Sequence, residues 1–187
     1  MRPFLDKDDA IEYLQEDVIG QFIRSTSISD GDHGISLEKH IHGHKVDRSS
    51  IGDIIYSDRT FSELKCLLHS NSIHIAKTSI YNSTPTLKEH QEWAFKKMQS
   101  TFIVQMRDDT IQESSPLEAD YIFTVKGYRV KEIVWLENLD YNKFIEAINI
   151  REASSYTKFE SSITYNNLIK CYDFGEYLSS YNRKKCA

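Results

Sequence analysis

From residue 101 the chain turns rich in β-branched and aromatic side chains, and this commits its second half to sheet. TFIVQMR (101–107), ADYIFTVKG (119–127) and RVKEIVWLE (129–137) each read as a strand, because such side chains fit a pleated, half-buried surface. Gly127-Tyr128 joins the last two closely, which predicts an antiparallel hairpin at that point. The polar stretch DDTIQESSPL between the first two reads as an exposed loop.

The first half reads mainly as helix. Residues 7–23 carry Ile11, Leu14, Val18 and Phe22 at helical spacing behind a capping Asp6 or Asp8, so a helical arm is expected within residues 1–30. GISLEKHIHGHKV (34–46) alternates, with Ile35, Leu37 and Ile41 on one side and His40, His42 and His44 on the other, as a strand does. DIIYSD (53–58) reads as a short buried strand. Thr60 and Glu63 then have capping-box spacing, with Phe61, Leu64, Leu67 and Leu68 as an apolar face, which predicts a second helix. IHIAKT (73–78) reads as a strand. A third helix is expected after Pro85, with Thr86 and Glu89 at its start and Leu87, Ala94 and Met98 facing inward. Asp140 caps a helix through residue 150. The tyrosine-rich tail, 154–187, predicts one more helix near 165–181. Helices crowding the first half and strands the second read as a single α+β domain over 1–187: an N-terminal helix, small mixed sheets with flanking helices, and antiparallel strands at about 101–137.

Composition limits the function classes. With 187 residues and 40% apolar content, the chain can bury a core without disulfide or metal staples. Its three cysteines form no CxxC, which fits a reducing compartment. No apolar run reaches membrane-spanning length and MRPFLDKDDAIEY lacks a signal core. A cytoplasmic location is therefore expected, or delivery into a target cell without a conventional signal peptide. A net charge of -5 disfavours a broad phosphate-neutralising face and suits a protein partner.

Few motifs carry chemistry. His40, His42 and His44 stand about 6.5–7 Å apart along one strand face and have the ligand type for zinc, with His33 or Asp32 near in sequence. Solvated strand-face histidines are the simpler reading, and no metal site is assigned. GxSxG, P-loop, GxGxxG and HExxH signatures are absent. Glu63-Leu64-Lys65 resembles the acid-x-lysine end of a nuclease motif. The helix expected there would deny it the strand geometry that motif requires.

DIIYSDRTFSELKCLLHSNSIHIAKT resembles the opening strand–helix–strand of the DNA- and RNA-directed ADP-ribosyltransferase toxins, and PLEADYIFTVKGYRVKEIVWLE resembles their glutamate-bearing catalytic segment. The resemblance spans roughly residues 50–140. It implies an ADP-ribosyltransferase toxin or effector that uses NAD to modify a nucleic acid or a protein. Glu118, Asp120 or Glu113 would act at the ribose, where a carboxylate stabilises oxocarbenium charge. Tyr56, Ser57 and Arg59 would bind NAD, the arginine at the pyrophosphate. Asp120 aligns best with the family's glutamate but is shorter, and Tyr56 and Ser57 replace its usual histidine–threonine pair. The alternative reading is a non-catalytic protein-binding module, such as an immunity protein, an antitoxin partner or an inhibitor. Its counterpart would be an antitoxin, a cognate toxin or a host protein.

Overall fold

The computed structural model describes residues 4–24, 52–79, 85–114, 122–152 and 157–180. The fold is α+β. Its centre is an antiparallel pair, β5 (Thr101–Ser114) and β6 (Ile122–Leu139), in register from Thr101↔Leu136 to Ser114↔Ile122. A bulge interrupts the ladder between Gln105 and Met106. The hairpin expected at Gly127-Tyr128 is absent. Both residues lie inside β6, and residues 108–114, expected as loop, belong to β5.

Gly127 has another role. A Cβ there would stand 2.3 Å from the Ile23 carbonyl oxygen and 2.5 Å from the Phe22 ring. The missing side chain lets β1 (Phe22–Arg24) lie against β6, with Arg24 opposite Gly127. A glycine within a strand often marks such a close backbone approach.

β6 carries two strands on its other edge: β1 beside Gly127–Arg129, and β9 (Tyr172–Ser180) beside Glu132–Leu139. On the far side of β5 runs β3 (Phe61–Leu67), parallel to it, and then β2 (Ile54–Ile55), antiparallel to β3. A second sheet has the order β4 (Ser72–Ser79), β8 (Thr157–Thr164), β7 (Asn149–Glu152).

The helices among the described residues are α1 (Lys7–Tyr13), α2 (Leu87–Met98), α3 (Tyr141–Ala147) and α4 (Tyr165–Ile169). Asp6, Thr86, Asp140 and Thr164 cap them, each side chain accepting an amide hydrogen bond. α1 widens into a π-helical turn over Leu14–Val18, closed by the Ile19 amide on the Leu14 carbonyl at 3.0 Å. Leu14 and Val18 are buried as their spacing predicts, but Phe22 belongs to β1. No helix among the described residues is long and apolar enough to cross a membrane.

The larger sheet has a core on each face. Phe102, Val104, Ile133 and Trp135 pack with Leu14 and Val18 of the N-terminal helix. Ile103, Val134 and Leu136 pack with Ala94 and Met98 of α2, Phe144 of α3, and Ile75 and Ile163 of the second sheet. Alternation along β5 and β6 feeds both.

Two further expectations change. The helix expected from Thr60 is β3. Ser62, Glu63 and Leu64 are buried in succession, which a strand covered on both faces requires and an amphipathic helix does not. The helix expected near 165–181 is the five-residue α4 followed by β9. There Leu168 and Tyr172 are buried, and the Tyr172 hydroxyl donates to the Met98 carbonyl.

Gly127→Ala drives a methyl group into the β1 backbone. We expect a loss of about 2 kcal/mol in urea unfolding, with proteolysis near β1 faster than in the wild type. Wild-type stability in this variant would show that β1 does not need the close approach.

Candidate functional site

The residues expected to bind NAD are mostly engaged in holding the turn after β2. Tyr56 is buried, and its hydroxyl shares a 2.6 Å hydrogen bond with Ser62 Oγ, which in turn lies 3.0 Å from Ser100 Oγ. Burial pushes the phenol up to about 12. The Ser57 hydroxyl donates to the Leu5 carbonyl at 2.6 Å. Arg59 has a left-handed backbone, φ 69°, and its amide closes the turn on the Tyr56 carbonyl at 3.0 Å. Tyr56 and Arg59 share the wall of a large cleft, about 1260 Å³ in volume.

Glu113 does not join them. It is exposed near the far end of β5, while Ser100, just before β5, borders the cleft. At the rise of an extended strand, roughly 40 Å separates the two ends. Glu118 and Asp120 lie outside the described residues, as do Asp32, His33, His40, His42 and His44.

A different group of side chains converges at the edge of the larger sheet. β2 pairs with β3 so that Ile54 faces Ser62. Asp53 directly precedes β2 and lies close enough to Glu63 to act on its carboxyl. Glu63 and Lys65 are alternate residues of β3, so they share one face. The Asp53 amide donates to the Ser62 carbonyl at 3.2 Å, and Asp53 Oδ2 accepts the Leu64 amide at 2.8 Å. Asp53 thus continues the β2–β3 ladder with its carboxylate. Lys65 Nζ lies 3.4 Å from Glu63 Oε2.

The electrostatics of this group are unusual for a strand. Glu63 is 4% exposed, and burial raises its carboxyl above the ordinary range, with Asp53 adding to the rise and Lys65 and Lys97 opposing it. Lys97 comes from the last turn of α2. Burial, then Lys65 and Lys77, keep the His74 imidazole of β4 below its ordinary value, hence neutral at physiological pH. Two carboxylates and two lysines therefore meet where β2, β3 and α2 adjoin.

This set does not form a closed metal cage. No cluster of three or more histidines, cysteines or acids suited to a metal gathers among the described residues. A pair of carboxylates is nevertheless a fitting donor set for magnesium. That ion keeps several of its waters, accepts one or two carboxylates and completes its shell with substrate phosphate oxygens. The lysines favour the same phosphate.

Nothing in the sequence singles out Asp53, and the capping-box spacing of Thr60 and Glu63 argues for helix over Glu63-Leu64-Lys65. The period-2 alternation of Ser62, Leu64 and Cys66 against Glu63 and Lys65 is the competing signal for a strand. No known protein-family model matches the chain, and no curated protein matches it in sequence.

Glu63→Gln tests the burial argument. A carboxyl raised above its ordinary 4.5 costs stability only when ionised, so the cost is absent below that pH and grows as pH rises through the raised value. Lys65 keeps contact with water, its side chain being 20% exposed. The variant should melt higher than wild type at neutral pH and equally in acid. A lower melting temperature at neutral pH would mean that the Lys65 attraction outweighs burial.

Proposed function

We propose that this chain is a metal-dependent phosphodiesterase of the nuclease type, with Asp53, Glu63 and Lys65 as its centre. The observation that carries the reading is their proximity at the β2–β3 edge, two acids and a lysine in the D…E-x-K order, with Asp53 and Lys65 both acting on the Glu63 carboxyl. The acid-x-lysine resemblance needs a strand, and β3 is one.

Asp53 and Glu63 would hold a divalent cation, which supplies charge neutralisation at a phosphodiester and lowers the pKa of attacking water. Lys65 would bind a non-bridging phosphate oxygen and stabilise the negative charge that grows as the water oxygen bonds to phosphorus and the bond to the leaving oxygen breaks. Lys97 adds positive charge to the same place. The acidic composition limits the substrate contact to a local one, which suits short or single-stranded nucleic acid.

The NAD-directed reading draws on Tyr56 and Arg59 in the large cleft. It is weaker on geometry, since Glu113 stands at the other end of β5 and carboxylates outnumber cations around that cleft.

Purified protein incubated with single-stranded RNA, single-stranded DNA and supercoiled plasmid should cleave at least one in magnesium or manganese and none in EDTA. Lys65→Ala and Glu63→Gln should each lower the rate by about 10²-fold or more while remaining folded by circular dichroism. Release of nicotinamide from NAD with no strand cleavage would favour the transferase reading instead. Inertness in both assays would leave the binding-protein alternative.

A further inference from the structure

Helix α2 presents two unlike flanks. Its buried residues His90, Ala94 and Met98 face the sheets. Phe95 points to α3, where its ring centre lies 5.1 Å from that of Tyr141 and 6.2 Å from that of Phe144. Trp93 comes two residues earlier, so it lies roughly 200° away around the helix, on the opposite flank. It is 38% exposed and does not line the acidic cleft. Lys97 follows Trp93 by one turn, and its ammonium stands 5.3 Å from the centre of the indole ring.

Lys97 connects this indole to the carboxylate site. α2 packs on both β3 and β4. From its last turn Lys97 acts on the Glu63 carboxyl and on the His74 imidazole, and Lys65 acts on the same two groups. Lys77 brings a third ammonium to His74. Glu160 offsets part of this charge and is itself bonded to Lys77 at 3.1 Å. An exposed aromatic ring thus borders a group of lysines that reaches the Asp53–Glu63 pair. Aromatic rings beside backbone-neutralising cations are what an unpaired nucleotide chain requires, a face for the base and charge for the phosphate. Polyphosphate or an acidic peptide meets the charge without offering a base to the ring.

We propose that Trp93 is a stacking platform for a nucleobase beside the scissile phosphate, and that the substrate is therefore single-stranded nucleic acid. The inference rests on the phosphodiesterase reading for the place of that phosphate. A base laid on the indole brings its own phosphates to Lys97 and hence next to Lys65. Every base has a π-face, so the platform tolerates any sequence. Bases within a duplex already stack on their neighbours and offer the indole no free face.

Binding is measured in EDTA, where no cleavage occurs, and cleavage is measured separately in magnesium or manganese. Trp93 and Trp135 are the chain's two tryptophans, and Trp135 is 2% exposed, so quenching by a ligand reports Trp93. Oligothymidylate or oligouridylate should quench the emission saturably. The same strand annealed to its complement should bind about tenfold more weakly, and so should an abasic strand of equal charge. By anisotropy of a labelled oligonucleotide, Trp93→Ala should weaken binding about tenfold, with no further loss for the abasic strand, while Trp93→Phe should stay within about threefold of wild type. Phe174→Ala, at an exposed ring on β9, should change nothing. Glu63→Gln should lose cleavage and keep binding. Absent binding of both oligonucleotides, equal binding of the abasic strand or the duplex, or equal effects of Trp93→Ala and Phe174→Ala overturn the stacking site, even in a protein that cleaves. Quenching with the expected losses but no cleavage upholds the site and overturns the phosphodiesterase reading alone.

Discussion

The antiparallel ladder between β5 and β6 is the constraint on which the other elements depend. It runs the whole fourteen residues of β5, and its side chains alternate between two separate cores. Phe102 and Trp135, with ring centres 4.4 Å apart, belong to the core under α1, while Ile103 and Val134 belong to the core under α2. Arg129 fastens the N-terminal segment to this ladder. Its Nε donates to Asp109 Oδ2 at 2.6 Å across the strands, and its Nη1 donates to the Gly20 carbonyl at 2.8 Å. Charge-assisted bonds of this kind are among the stronger ones a protein makes.

The ladder also dictates how the Glu63 site is assembled. β3 runs parallel to β5, and a parallel neighbour cannot be reached by a tight turn. The chain instead leaves through β4 and α2 and returns to Thr101. That excursion covers the Glu63 face and delivers Lys97 beside it. β2 then has only the outer edge of β3 to pair with, and its short length leaves the Asp53 carboxylate to bond the Leu64 amide. Burial of Glu63 follows from topology, and its raised carboxyl follows from burial. Carboxyls shifted by burial beside specific charge partners cluster at functional sites.

Much of the fold was legible where local chemistry and tertiary context agree. Thr86 and Asp140 cap helices at the expected places, and the runs at 101–107 and 129–137 are strand. The failures have one physical origin, since short-range signals were overruled by pairing partners distant in sequence. Thr60 has a capping residue's spacing, yet its hydroxyl donates to Asp58, and the segment after it pairs with β5 on the far side of β4 and α2. Gly127 carries a turn residue's identity, yet it serves β1, near the N-terminus. The tail after α4 joins β6 as β9. The candidate site was half legible for the same reason: Glu63 and Lys65 are close in sequence, whereas Asp53 joins them only once β2 and β3 pair.

Two regions of opposite character result, a lysine-flanked carboxylate pair on the sheet edge and an acidic, aromatic cleft beyond Phe61. The central claim is that the first of these holds a divalent cation. Manganese titrated into ¹⁵N-labelled protein measures this directly, because the ion broadens amide signals only near its site. The account predicts early loss of the Asp53, Leu64 and Lys65 amide signals, abolished in Glu63→Gln. Broadening confined to the acidic cleft around Asp58 and Glu137, or unchanged in Glu63→Gln, would contradict it.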